Sequence, residues 1–289
     1  MTAMVTTTAT QERPRRRGLR SRLGVSGAIA ATIVAIASLV AVIGPWIAPH
    51  DPTIANLSQA WLAPSADHLL GQDVQGRDVL SRLLAGARSS MLGPLLVVVV
   101  CMVLGSSLAV TSAWRRGFTD SAISSGLDIL FAFPAILLAA LSAVVFSPGL
   151  WAAVAALSVA YTPYVARVLR GAMLRERNQP YIAALEVQGS GATSICIRHL
   201  LPNVMPLMVA QATILFGYAV LDLAVISYLG LGVQPPNPDW GVMISENQSG
   251  ILQHYPMPAL TAGACIVAVV VAMNLLGERL LERSNASGR

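Results

Sequence analysis

Six apolar runs, separated by polar or charged stretches, set the pattern of this chain. Val25–Ile47, Ser89–Ala113, Ile129–Ser147, Leu150–Ala166 and Pro258–Gly277 carry no charged residue, and Val204–Leu231 carries only Asp222. About 20 apolar residues cross the hydrocarbon core as a helix. Backbone groups in lipid must be bonded within the segment, so each run is expected to be helical. The pattern predicts an all-α polytopic membrane protein with six transmembrane helices. Pro94, Pro134, Pro163 and Pro206 lie in or near the runs. Neighbouring helices can shelter the kinks they cause.

Composition agrees with this reading. The 289 residues are 55% hydrophobic and 11% charged, with a mean hydropathy of +0.64, whereas soluble domains carry about 25% charged residues. All 19 basic residues are Arg. A phosphate-cradling P-loop needs a Gly-Lys-Ser/Thr sequence, so this sequence contains none. Any ATPase it works with lies on another polypeptide. Cys101, Cys196 and Cys265 are odd in number and suit neither a disulfide framework nor a metal site.

Charge distribution sets the expected orientation. Six arginines crowd residues 13–22, just before the first run. That run is too long for a cleavable signal core and no small-residue cleavage pattern follows it. With an even number of spans both termini share a side. Placing them in the cytoplasm puts 16 of the 19 arginines inside, and only Arg77, Arg82 and Arg88 outside, as the positive-inside rule demands. The chain then divides into a basic cytoplasmic tail (1–22), a first transmembrane helix (23–48) and an extracytoplasmic segment (49–88). A five-helix core (89–281) follows, with a cytoplasmic loop at 174–203 and an external loop at 233–257, then a cytoplasmic tail (282–289). The basic tail reads as a topology signal that touches anionic lipid rather than nucleic acid.

The loop at 174–203 is the most informative stretch. Two short helices are expected, one over about 180–188 that stops near Gly189, and one over about 192–200 that stops before Pro202. Ala183-Ala184, then Gly189, then a polar stretch ending His199-Leu200-Leu201-Pro202-Asn203 resembles the coupling loop of ABC importer membrane subunits. In that family the motif opens Glu-Ala-Ala. Here Ala183 stands for the Glu and Leu185 for the second Ala, while Glu186 and Glu176 are nearby acids that could supply the charge. The resemblance implies that Ala183, Ala184, Glu186, Gly189, His199, Leu201 and Pro202 contact a partner ATPase.

Three further blocks narrow the resemblance. One runs from His50-Asp51-Pro52 through His68-Leu69-Leu70-Gly71-Gln72-Asp73 to Gly76-Arg77-Asp78-Val79-Leu80. The others are Ser227-Tyr228-Leu229-Gly230-Leu231-Gly232 with Asp239-Trp240-Gly241, and Asn274-Leu275-Leu276-Gly277. Together they resemble the second, "C"-type, permease of the dipeptide/oligopeptide/nickel importers. That family implies a type I importer fold in a bacterial inner membrane and no cofactor in this chain. ATP and Mg are bound by two partner ATPases, separate or fused. The remaining partners are a homologous "B"-type permease and an extracytoplasmic substrate-binding protein. Di- or oligopeptides are the expected cargo; nickel, metal chelates, glutathione and haem are alternatives.

The long polar segment 49–88 suits a platform for the binding protein, with Asp73, Arg77 and Asp78 as docking candidates. His50 and His68 flank it without convergent Cys or carboxylate spacing, which makes them weak metal ligands. Asp222 is the one acid well inside a predicted span, and intramembrane carboxylates point to function by default. It is expected to line the translocation pathway. Asp128 reads as interfacial and structural. A stand-alone secondary transporter would call for paired broken helices, and a membrane enzyme for a nucleophile–base or metal pair. Neither pattern is present in this sequence.

Overall fold

The computed structural model describes residues 19–287, with side chains described from 25 to 282. Most of the two expected tails therefore lies outside the described residues. Ten α-helices follow in order: α1 (Leu19–Ile47), α2 (Val79–Arg115), α3 (Gly117–Phe131), α4 (Ala135–Phe146), α5 (Leu150–Arg177), α6 (Pro180–Val187), α7 (Ala192–Ile195), α8 (Leu201–Tyr228), α9 (Trp240–Leu252) and α10 (Met257–Ser287). No strand occurs among the described residues. Five helical runs are long and apolar enough to cross a membrane: Val25–Ile47, α2, α5, Ala192–Tyr228 and most of α10.

The sixth crossing differs from expectation. The run 129–147 is not one helix, because α3 and α4 meet at a bend of 82°. Pro134 is the cause. It lacks an N–H and disfavours helical geometry at Phe133. Pro134 is extended and serves as N-cap of α4. With 12 residues, α4 is about 18 Å long and cannot span the hydrocarbon core alone.

The other spans overrun their apolar stretches. α2 begins at Val79, ten residues before the apolar run, and its 37 residues reach about 55 Å. α5 continues to Arg177. α2 packs against α1, α5 and α8, and α8 packs against α10. Small residues permit the closest approaches. A Cβ on Gly105 would stand 2.6 Å from Val165 Cγ1, and one on Gly277 would stand 2.3 Å from Ile214 Cγ1. At the far end of α5, Arg177 donates to Ala113 O at 2.7 Å and to Trp114 O, and lies over the Trp114 ring at 4.5 Å. A cation there satisfies the orphan carbonyls that end α2.

At the opposite end, segment 49–78 and α9 form a cap over the bundle. Asp73, Arg77, Arg82 and Glu246 join in one buried cluster of two anions and two cations. Arg77 Nη2 lies 2.8 Å from Asp73 Oδ2 and 2.7 Å from Glu246 Oε2. Arg82 Nη2 lies 2.7 Å from Glu246 Oε2, and its Nη1 is 3.2 Å from Asp73 Oδ2. Burial holds the Glu246 carboxyl above its ordinary range, and the Arg77 guanidinium offsets this only in part. Asp78 caps α2, accepting from Ser81 N at 2.7 Å. Burial pushes its carboxyl up, yet hydrogen bonds from Ser81 and His68 outweigh this and hold it below the usual 3.8.

Asp73, Arg77 and Asp78 were expected to face a docking protein. Their relative exposures are 0%, 1% and 4%, so these side chains bind the cap to the bundle instead. The reason is distance in sequence: Glu246, which completes the cluster, comes from α9. The Asp239-Trp240-Gly241 block works beside it. Asp239 accepts from Gly241 N and Ser90 Oγ, while Trp240 Nε1 donates to Leu83 O at 3.1 Å.

Glu246→Ala leaves two buried guanidiniums facing one carboxylate. Removing one partner of a buried ionic cluster costs about 3–5 kcal/mol. The variant is expected to unfold at markedly lower temperature in detergent, as measured by tryptophan fluorescence; a melting curve matching wild type would refute the role given to this cluster.

Candidate functional site

The segment between α5 and α8 is ordered by a small set of contacts. Four buried side chains anchor it: Ile182 on α6, Ile195 on α7, and Cys196 and Leu200 just after them. Around them the surface is open. Ala183, Ala184, Glu186, Val187 and Gly189 are all exposed, and so is Ile197. Small and apolar side chains facing outward on an ordered segment suit a surface that another protein covers.

α6 ends as expected at Gly189, which has φ +76°. Gly189 N donates to Glu186 O and Ser190 N to Leu185 O, both at 3.0 Å. This paired closure is a Schellman motif, and it needs a left-handed residue. A Cβ at Gly189 would meet nothing within 4 Å. Its requirement is therefore conformational, and the space beside it is free for a partner.

The second short helix departs from expectation. It does not stop before Pro202. α7 passes into a π-helical turn over Cys196–Leu200, and α8 follows at once with Pro202 in its first turn. Leu201 N bonds back to Cys196 O, five residues away. The wider turn lets the chain pass the proline, which has no N–H to contribute and would clash in a regular α-helix.

Asn203 closes the base of the segment. Its Nδ2 donates to Glu176 Oε1 and to Tyr181 Oη, both at 2.8 Å, and Tyr181 Oη donates to the same carboxylate. His199 packs edge-on against the Tyr181 ring. Glu176 is thus engaged inside the clasp, while Glu186 stays exposed. Arg116 Nη2 adds a bond to Asn178 Oδ1 at 2.8 Å, which ties the segment to the end of α2. The Leu-Pro-Asn ending was visible in the sequence, but its partners lie 22 and 27 residues away.

Elsewhere, Asp222 lines a cavity of about 440 Å³ with Phe131, Phe133, Tyr161, Tyr164 and Tyr218. Tyr161 Oη donates to Asp222 Oδ2. No sequence signal linked these residues, which come from the α3–α4 bend, α5 and α8. Asp128 pairs with Arg167 on the surface, and Arg167 also lies over Phe131. In the cap, His68 Nδ1 is 2.9 Å and His50 Nδ1 is 3.9 Å from Asp78, so the two histidines do converge on a carboxylate. Ser81 already occupies Asp78 Oδ2, which makes the cluster self-satisfied.

A bundle of membrane-crossing helices that presents an ordered segment between two of them is an architecture that suits the membrane subunit of a transporter. Residues 75–286 match the family of binding-protein-dependent transport system inner membrane components, and the chain belongs to that family. It is 37% identical over 257 residues to the dipeptide transport system permease protein DppC of Escherichia coli K12, covering 86% of this chain and 84% of that one. It is 36% identical over 246 residues to a di/tripeptide permease, DppC, of Pseudomonas aeruginosa UCBPP-PA14, covering 83% and 81%. An inward-facing structure of the MetNI methionine ABC transporter shares the fold, with TM-score 0.58 and 22% identity over 70% of this chain and 96% of that one. The protein is thus a multi-pass inner-membrane component of a binding-protein-dependent transport system.

Asn203→Leu removes both amide bonds of the clasp. Amide hydrogen exchange over residues 178–200 is expected to speed up at least tenfold while α2 and α5 keep their protection. Unchanged exchange in that segment would show that Asn203 does not close it.

Proposed function

We propose that this protein is one of two membrane subunits of an ATP-driven peptide importer, and that segment 178–203 couples it to an ATPase. The observation that carries the reading is the exposed Ala183–Ala184–Gly189 surface, held rigid by Ile182, Ile195 and the Asn203 clasp. The dipeptide and di/tripeptide permeases it resembles support peptides as cargo. The partners are a homologous permease, two ATPase subunits that bind ATP and Mg, and an extracytoplasmic binding protein. This chain itself carries out no bond chemistry.

The arginine distribution supports cytoplasmic termini and a cytoplasmic coupling segment. The cap of segment 49–78 and α9 then lies outside, where a binding protein docks. ATP would clamp the two ATPases together. A segment clasped at its base passes that motion to α5 and α8 as a rigid body, and the pore switches between inward-open and outward-open states.

Gly189→Val forces a β-branched residue into the left-handed region, at a cost of about 1–3 kcal/mol. The subunit is expected to reach the membrane and assemble, but ATP hydrolysis should no longer drive uptake. Normal uptake per ATP hydrolysed by the Gly189→Val complex would sink the coupling role.

Orientation is tested separately. A cysteine at Ser190 is expected to resist an impermeant thiol reagent on intact cells, and one at Ser65 to react. Equal labelling at both positions would refute the assignment.

A further inference from the structure

The bend between α3 and α4, the middle of α5 and the outer part of α8 enclose the aromatic cavity around Asp222. Among the described residues, Asp222 is the only charged one that lines it. Tyr161 satisfies Oδ2 with a neutral hydroxyl, and no described side chain donates to Oδ1. A carboxylate in a membrane-spanning helix, with no cationic side chain lining its cavity, calls for a positive group from elsewhere. The walls fit that need. Phe133, Tyr164 and Tyr218 are exposed and present aromatic rings, whereas the Phe131 ring already carries Arg167; aromatic faces attract cations.

The donor set narrows the cation. Hard divalent ions take six or more oxygen ligands, and this lining offers one carboxylate and three phenols. Softer metals favour imidazole or thiolate, and neither lines the cavity. A primary ammonium matches both features: its N–H groups reach the free oxygen and its charge sits among rings. We propose that this cavity is a subsite of the translocation pathway that takes the ammonium group of an amine-bearing organic cargo, such as a peptide amino terminus. This rests on the importer reading above and selects peptides over metal ions as what passes Asp222. Among the described residues no cationic side chain lines the cavity, so a peptide's carboxylate is held elsewhere.

The test is direct binding to the assembled transporter, with sister permease and ATPases, in nanodiscs of neutral phosphatidylcholine. The probes are n-butylammonium and n-butanol, followed by saturation-transfer NMR. The wild-type complex is expected to bind the ammonium at least tenfold more tightly than the alcohol. Asp222→Asn should lose that preference and Asp222→Glu should retain it. Equal binding of the two probes to wild type would overturn the proposal, as would an undiminished preference in Asp222→Asn. Displacement of n-butylammonium by equimolar nickel chloride would overturn the choice of an organic cation. If Asp222→Asn does not assemble, Tyr218→Leu replaces it. Loss of one wall should weaken ammonium binding at least threefold, and unchanged binding would overturn the proposal. ATP-driven uptake of alanyl-alanine by the same wild-type complex, with its binding protein, tests the importer reading on its own. Absent uptake with intact ammonium binding would sink that reading and spare the site.

Discussion

A membrane offers no water to a broken backbone, and most of this architecture follows from that constraint. At several helix ends a side chain or a left-handed residue takes up the freed groups. Arg177 covers the last carbonyls of α2. Asp78 and Asp239 receive the first amides of α2 and α9. Gly189 and Gly230, both at positive φ, allow α6 and α8 to close on themselves. Asp78, Gly189, Gly230 and Asp239 fall within the sequence blocks that carry the resemblance, and each solves a backbone problem that few residue types can solve.

The same logic explains where the molecule is stiff. The cap is held by a neutral cluster of four charges drawn from three parts of the chain, and by Trp240 reaching Leu83. The segment between α5 and α8 is held by buried Ile182, Ile195, Cys196 and Leu200 and by Asn203. Between these ends, α2 and α5 run the depth of the bundle side by side.

How much of this was legible follows from the range of each interaction. Hydropathy located the spans because lipid imposes one period and one length. Gly189 as a helix stop was legible because the Schellman closure spans only six residues. The α3–α4 bend was not: Pro134 was noted, but apolar residues on both sides concealed a break that geometry alone reveals. The burial of Asp73 and Arg77 was equally hidden, since Glu246 lies 169 residues beyond Arg77. A polar, outward stretch reads as a docking surface until its counter-charges are found. Asp222 stood out as an isolated acid, whereas Tyr161 and Tyr218 looked like ordinary aromatic residues of a span.

The π turn at Cys196–Leu200 carries a consequence for how such a chain tolerates change. It holds one residue more than an α-helix would use, and each helical residue turns the chain by about 100°. Deleting one residue there would swing Ala192–Ile195 and everything before it around the axis of α8, and would leave Pro202 to interrupt a regular α ladder. The surplus residue is therefore an angular setting. It fixes the direction in which Ala183 and Ala184 face, and a length variant at this point would turn that surface away.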